Sequence, residues 1–340
     1  MEWVMAAGWL ARQPCGGRML ARRWAGLAVL LVCMNAPALA QRDTQKPIRL
    51  VIGTAPGGLM DVPARLLAEY LDRTGGERLI IENRPGAGGN PAADLVAKAL
   101  PDGYTLGQIQ LGNVAINPFI YKNMPFDPLT DLVPVAPLTS SPLLVLVGSR
   151  LPVADLREFI ALARRSPGGI NHGSAGIGTV PHLGGQLFEQ LSGAQLVHVH
   201  YRGVGPAVID LVGGQVQVVF AGLGAVRGQI DAGSVKVLAV AQRTRLKSAP
   251  QFPTAEEAGL PGFEFTTWFG IVAPRGTPER IVEAFAARVR GMQHDPEVQR
   301  RLGDAGMEVL EETPTEFGNR IRRDNARFRE IVRAAGLKPE

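Results

Sequence analysis

PIRLVIGTAPGGLMDVPARLLAEYLD, residues 47–72, reads as a strand, a glycine turn and a helix. Ile48, Leu50 and Ile52, with Val51 between them, make a run apolar on both faces, the pattern of a strand in a parallel sheet. Pro56, Gly57 and Gly58 break the run, Asp61 carries the side chain of a helix cap, and Pro63 suits a first helical turn. Leu66, Leu67, Tyr70 and Leu71 then recur on one helical face. A glycine turn ahead of a helix aims backbone N–H groups at a space where the dipole favours negative charge. The turn therefore reads either as half of an anion site or as the plain connection any α/β protein has.

The same alternation continues outward. Arg78 to Glu82 reads as a strand, Asn83 to Asn90 as a long glycine-rich turn, Pro91 to Leu100 as a helix, and Tyr104 to Gln110 as a third strand. This βαβαβ order predicts a doubly wound parallel sheet, whose ligands sit beyond the carboxyl ends of its strands. The loops Thr54–Asp61 and Leu111–Asn113 both follow strands and share that end. Met124 to Pro137 reads as proline-rich and irregular, Leu143 to Val147 as an apolar strand. A second βα series follows, with strands at 170–174, 196–200, 216–220, 235–241 and 263–273. Helices are expected at 155–165, 181–191, 206–212, 278–292, 296–305 and 314–335. Two similar series suggest two lobes.

Residues 1–40 are of another kind. Arg22 and Arg23 precede the apolar run Trp24 to Met34, and Ala38-Leu39-Ala40 is a small-x-small cleavage pattern before Gln41. This is a secretory signal peptide, with Met1 or Met19 as its start. No run is long enough for a membrane span. Cys33 follows Val32 rather than a small residue, which argues against a lipoprotein anchor. Cleavage removes Arg12, Arg18, Arg22, Arg23 and Glu2, and takes the formal charge from +5 to about +2. So weak a charge argues against a nucleic-acid partner. Cys15 and Cys33 leave with the leader, which excludes disulfides and cysteine chemistry in the mature chain.

Gly173-Ser174-Ala175-Gly176-Ile177-Gly178-Thr179 lies between a predicted strand and a predicted helix. It lacks the full dinucleotide fingerprint, the lysine of a P-loop and, with His172 in the place of a glycine, the serine-hydrolase elbow. It offers the hydroxyls of Ser174 and Thr179 and N–H groups at a helix start, chemistry that suits a carboxylate. His182 follows in the first helical turn. His198 and His200 face the same way on one strand, but no Asp, Glu or third His is expected beside them, so they read as ordinary histidines before a metal pair. Arg202, after Tyr201 at a strand end, has the fork geometry for a carboxylate and reads equally as a solvated surface arginine.

Together these stretches resemble the tripartite tricarboxylate transporter receptor family, the Bug-type periplasmic solute-binding proteins. The resemblance rests on residues 47–51, Pro56-Gly57-Gly58 with Asp61, ENRPGAGGN at 82–90, PDGYTL at 101–106, AINP at 115–118 and FDP at 126–128. It continues in Gly176-x-Gly178-Thr179-x-x-His182-Leu183, Val197-His198-Val199-x-Tyr201, GGQVQ at 213–217, FPT at 252–254, EAGLPG at 257–262 and Trp268-Phe269-Gly270. It implies a two-lobe α/β fold of the type II, Venus-flytrap class with two crossing hinge strands, here Leu143–Val147 and Phe263–Ile271. The expected division is a leader at 1–40, one lobe from 41–142 and 265–340, and the other from 143–264. It further implies a periplasmic, monomeric receptor without catalysis, cofactor or metal, which binds a small carboxylic acid between its lobes and delivers it to membrane transporter subunits. The implied ligand-binding set is Pro56, Gly57, Gly58, Met60, Asp61, Gly112, Asn113, Ser174, Gly176, Gly178, Thr179, His182, Tyr201, Arg202, Ala221 and Trp268. A receptor for a two-component sensor, and a secreted hydrolase using Ser174 and His182, are the alternatives.

The sequence departs from the family at several of these positions. Met60 stands where a hydroxyl residue is usual, Pro63 where a small residue is, and Leu111-Gly112-Asn113-Val114 where Ser-Gly-Thr-His is. Ala221 stands for an aspartate, His200 for a proline, and Arg202 for a lysine. Each lost polar partner costs a polar ligand roughly 1–3 kcal/mol. The expectation is a monocarboxylate with an apolar or aromatic body.

Overall fold

A computed structural model describes residues 46–57, 59–75, 77–337 and 339. The predicted leader, its cleavage site after Ala40, and Gly58 lie outside the described residues.

Strand β1 (Ile48–Ile52) pairs in parallel with β2 (Leu79–Asn83) on one side and β3 (Thr105–Gln110) on the other. Helices α1 (Asp61–Arg73) and α2 (Asn90–Ala97) make the crossovers. The apolar run of β1 is buried apart from Arg49, which reaches out to the Glu82 carboxylate at 2.7 Å. In α1 the stripe Leu66, Leu67 and Leu71 is buried against this sheet.

The expected loop at 111–113 is a short helix, α3 (Leu111–Ala115), followed directly by α4 (Asn117–Ile120). Its cause is local: Gln110 and Asn113 exchange side-chain and backbone hydrogen bonds in a capping box.

The larger correction is β4 (Leu132–Gly148), which takes in part of the stretch read as irregular. Its prolines misled the reading, because a proline gives no ladder N–H. Here the register shifts between Pro134 and Ala136 and again between Pro137 and Thr139, so two of the prolines stand at ladder irregularities. From Leu132 to Pro142, β4 pairs with β9 (Thr266–Pro274), and β10 (Glu308–Val309) lies on its other edge. From Leu143 onward it changes partners to β7 (Val218–Gly222) and β8 (Val235–Val240). One long strand thus serves two sheets. The first runs β2-β1-β3-β9-β4; the second continues β4-β7-β5-β6, with β5 (Ile170–Ser174) and β6 (Leu196–His200) parallel.

The second sheet carries α5 (Leu156–Arg165), α6 (Val180–Ser192), α7 (Val204–Gly213) and the short α8 (Arg227–Asp231). The chain then returns through β9 to the first sheet and ends in α9 (Glu279–Gln293), α10 (Pro296–Asp304) and α11 (Pro314–Ala334). Each sheet with its helices forms a lobe. The carboxyl ends of β1 and β3 carry the glycine loops of one lobe, and those of β5, β6 and β7 carry the loops of the other.

Candidate functional site

In the first loop Asp61 is buried, but it is the first residue of α1 and does not cap it. Its carboxylate turns back and accepts from the Gly57 N–H at 2.8 Å, from Arg65 Nε at 2.6 Å and from Asn83 Nδ2 at 3.1 Å. Burial pushes the Asp61 carboxyl up; the bonds from Arg65, the Gly57 N–H and Asn83 outweigh it and hold the group below the usual carboxylate range. The Gly57 N–H is thereby taken by the protein's own carboxylate, while Pro56 and Gly57 are exposed.

The ENRPGAGGN turn explains itself here. A methyl group at Gly53 would lie 2.6 Å from the Gly89 Cα, so two backbones meet where only glycine fits. Asn113 Nδ2 donates to the Gly88 carbonyl at 2.8 Å, and Asn117 Nδ2 to Asn90 Oδ1 at 2.6 Å. Asn113, expected to face ligand, is buried and belongs to this knot; Gly112 beside it is half-buried.

Three expected site residues lie in the core. Met60 is 1 % exposed and packs in the cluster that holds Ile48, Leu50 and Ile52. Ala221 is buried opposite Leu144 in the second sheet. Trp268 is buried edge-on to Phe317 and donates its Nε1–H to Asp324 Oδ2 at 2.7 Å. Chain position beside a loop does not decide which way a side chain turns, and these three turn inward. Met60→Thr is therefore expected to destabilise the fold by about 1–3 kcal/mol, the cost of a hydroxyl in an apolar site, and to leave ligand preference unchanged. Thermal melts and a ligand panel on the variant check both parts.

The second loop is differently arranged. Gly176 and Gly178 have φ of +124° and +73°. The Thr179 hydroxyl donates to the Gly176 carbonyl at 2.7 Å, and the Gly178 N–H donates to His182 Nδ1 at 3.0 Å. The Gly176 and Ile177 N–H groups have no hydrogen-bond partner among the described residues, at the carboxyl end of β5. Two successive unpaired N–H groups there are donors for an anion. Arg202, exposed nearby at the end of β6, also has no partner among the described residues. The Tyr201 hydroxyl donates to Asp210 Oδ2 at 2.6 Å, and burial together with that bond pushes its pKa up to about 12.

Behind this loop stands a column of imidazoles that sequence reading missed. His198 and His200 do have company: His172, His182 and Glu189 cluster with them. His172 Nδ1 meets His198 Nδ1 at 3.0 Å, and His198 Nε2 lies 2.8 Å from Glu189 Oε2. The His182 ring sits edge-on to both His198 and His200, with centroids 5.1 and 4.9 Å away. Ser174 Oγ lies 2.8 Å from His200 Nδ1 rather than bonding to His182. His198 Nε2 also lies 3.1 Å from Gln186 Nε2; neutral His182, accepting at Nδ1, carries its proton on Nε2. Among the described residues no group of acids, histidines and cysteines has the geometry to hold a metal. His200 has no carboxylate partner among them, so Ser174 and His200 form no triad.

Burial, reinforced by the neighbouring imidazoles, lowers the His182 pKa from 6.5 to about 4 and lowers those of His172 and His200. The sign follows directly. Between these limits the unfolded chain binds a proton at His182 that the folded chain refuses, so stability falls as pH drops from 6.5 toward 4. His182→Asn keeps an acceptor for the Gly178 N–H and removes the titration; its melting temperature should decline less over that range than the wild type's.

The two loops belong to different lobes, and among the described residues no hydrogen bond joins them. They approach through α4: a Cβ at Gly178 would lie 2.7 Å from Ile120 Cδ1. Leu59 on the first loop and Ile177 on the second stand 48 % and 65 % exposed.

A two-lobe α/β chain with glycine loops at the carboxyl ends of strands in both lobes has known counterparts. The profile of the tripartite tricarboxylate transporter family receptor matches residues 63–337. The chain belongs to this family. Protein BugT of Bordetella pertussis is 31 % identical to it over 92 % of this chain and 96 % of BugT. Among solved structures, Rpa4515 of R. palustris with adipate matches with a TM-score of 0.76 at 33 % identity, covering 86 % of this chain and 98 % of that one. MatC (Rpa3494) from Rhodopseudomonas palustris with bound malate matches with a TM-score of 0.70 at 34 % identity, covering 84 % and 98 %. Members of the family are periplasmic solute-binding receptors. No helix among the described residues is long and apolar enough to cross a membrane.

Proposed function

We propose that this protein is a periplasmic receptor that captures a small carboxylate between its lobes and presents it, as a monomer, to a tripartite tricarboxylate-type transporter. The observation that carries the reading is the pair of unpartnered N–H groups of Gly176 and Ile177 at the carboxyl end of β5. Arg202, exposed just after β6, adds a cation without a partner among the described residues. A micromolar dissociation constant is about −8 kcal/mol. Three charge-assisted hydrogen bonds of roughly 1.5–3 kcal/mol each, less the cost of ordering, are of that size.

The ligand we propose is a monocarboxylate with an apolar or aromatic body. Leu59, Ile177 and Ile120 supply apolar surface around the loops. Asn113, Thr179 and Tyr201, which would otherwise serve a polar distal end, are engaged within the protein. Rpa4515 with adipate and MatC with malate set dicarboxylates as the comparison. The hinge we propose lies where β4 changes sheets, at 142/143, and where the chain returns, at 264/265; Phe265 still donates to Ala241 of the second lobe. After cleavage at Ala40 the mature chain begins at Gln41.

The test is a thermal-shift panel of mono-, di- and tricarboxylates on protein unfolded and refolded to strip bound ligand. Apolar or aromatic monocarboxylates should raise the melting temperature most. A shift confined to malate and citrate would reverse the proposed ligand class, and no shift with any acid would remove the function.

A further inference from the structure

A cavity of about 680 Å³ opens beside the sheet-changing strand, and none of its lining residues belongs to the glycine loops. One wall is Arg227 of α8 with Lys247 and Ser248, which follow β8 in the second lobe. The other comes from α10 and β10, which pack on the first lobe's sheet. The walls touch: Arg227 Nη2 donates to the Gly303 carbonyl at 3.3 Å, and Glu308 accepts from the Lys247 N–H at 2.8 Å and Gln242 Nε2 at 3.3 Å.

The carboxylates around this cavity are matched. Asp304 is paired with Arg300 at 2.9 Å, Glu311 with His294 at 3.2 Å, and Glu308 takes the two N–H donors just named. Three donors are not matched. Among the described residues, Arg227 Nε and Ser248 Oγ are buried without a partner and the exposed Lys247 ammonium has none. Leaving a buried donor unpaired costs about 1–3 kcal/mol. What this wall lacks is an acceptor, for two donors buried within it and one ammonium on its surface, and a guanidinium with an ammonium and a hydroxyl suits an oxyanion. The volume is that of a small-molecule site.

We propose that this cavity is a second anion site, for a small carboxylate or phosphate held by Arg227, Lys247 and Ser248. Because its two walls come from different lobes, an occupant needs both lobes placed as they are here. It therefore biases the lobes toward this arrangement and tightens binding in the cleft, and the cleft ligand tightens the anion in return.

The experiment titrates the refolded mature chain with inorganic phosphate and, separately, acetate by calorimetry. The variants are Arg227→Gln, the exposed Lys247→Gln, and Gly178→Val in the second glycine loop. At least one of the two probes should bind the wild type at one additional site. Both cavity variants should weaken that binding at least tenfold and leave the cleft ligand able to bind; Gly178→Val should leave the probe's binding intact. Whichever probe binds tells phosphate from carboxylate. Failure of both probes to bind, or binding lost in Gly178→Val and kept in both cavity variants, overturns the second site while leaving the cleft receptor standing. Loss of the cleft ligand itself in Arg227→Gln with retention in Gly178→Val would instead move the receptor site to this cavity and overturn the proposed function.

Discussion

Gly178→Val should weaken carboxylate binding by about 30-fold or more, while the melting temperature falls by only a few degrees. At φ +73° a β-branched residue is strained, and strain of this kind costs of order 1–3 kcal/mol. Its Cβ would also meet Ile120 Cδ1 at 2.7 Å, across the lobes. The Ile120 side-chain tip can yield, but the φ strain remains; the loop relieves it by moving, which disturbs the bond from the Gly178 N–H to His182 and displaces the adjacent Gly176 and Ile177 N–H groups. The strain is local, so the fold survives and binding does not. Calorimetry with the best acid measures the loss; an affinity within threefold of wild type would show that this loop does not hold the ligand.

Trp268→Ala should do the reverse. Trp268 is among the largest fully buried side chains, and truncating it removes its contact with Phe317 and the hydrogen bond to Asp324. A buried Trp-to-Ala change costs about 3–5 kcal/mol. The orphaned Asp324, whose pKa burial already raises, adds to that. The melting temperature should drop by roughly 10 °C, with the affinity of the folded fraction unchanged within about twofold. A specific loss of affinity at preserved stability would return Trp268 to the ligand site.

The contrast between these residues marks what the sequence carried. The strand–turn–helix at 47–72 and the βαβαβ order were legible because burial on both faces and helical periodicity are local patterns. ENRPGAGGN was legible as a motif, and its reason is the Gly53–Gly89 approach together with the Asn90–Asn117 bond. The imidazole column was not legible. His172 and His198 are 26 residues apart, and only the parallel register of β5 with β6 sets His172 against His198 and Ser174 against His200. A register is a tertiary fact that no local pattern states. The direction of Met60 was hidden for a similar reason. It stands next to Asp61, yet the helix start that turns Asp61 back toward Gly57 turns Met60 into the core. In β4 the prolines read as breaks, when the ladder accommodates two of them at its own irregularities.

Asp61 also changes the picture of the first loop. Its carboxylate occupies the Gly57 N–H, so ligand charge is better received by the Gly176–Ile177 side, where donors have no partner among the described residues. On the proposed function, the first loop contributes shape, through the exposed Leu59, more than charge.

On the proposed function, the cleft recognises a carboxylate by unpartnered N–H groups. Calorimetry on refolded protein with the tightest acid from the panel, and then with its primary amide, tests it most directly. The amide has nearly the same shape and lacks the charge. The acid should bind with one site per chain and the amide at least a hundredfold more weakly, a difference of about 2.7 kcal/mol. Equal binding of acid and amide would contradict the claim.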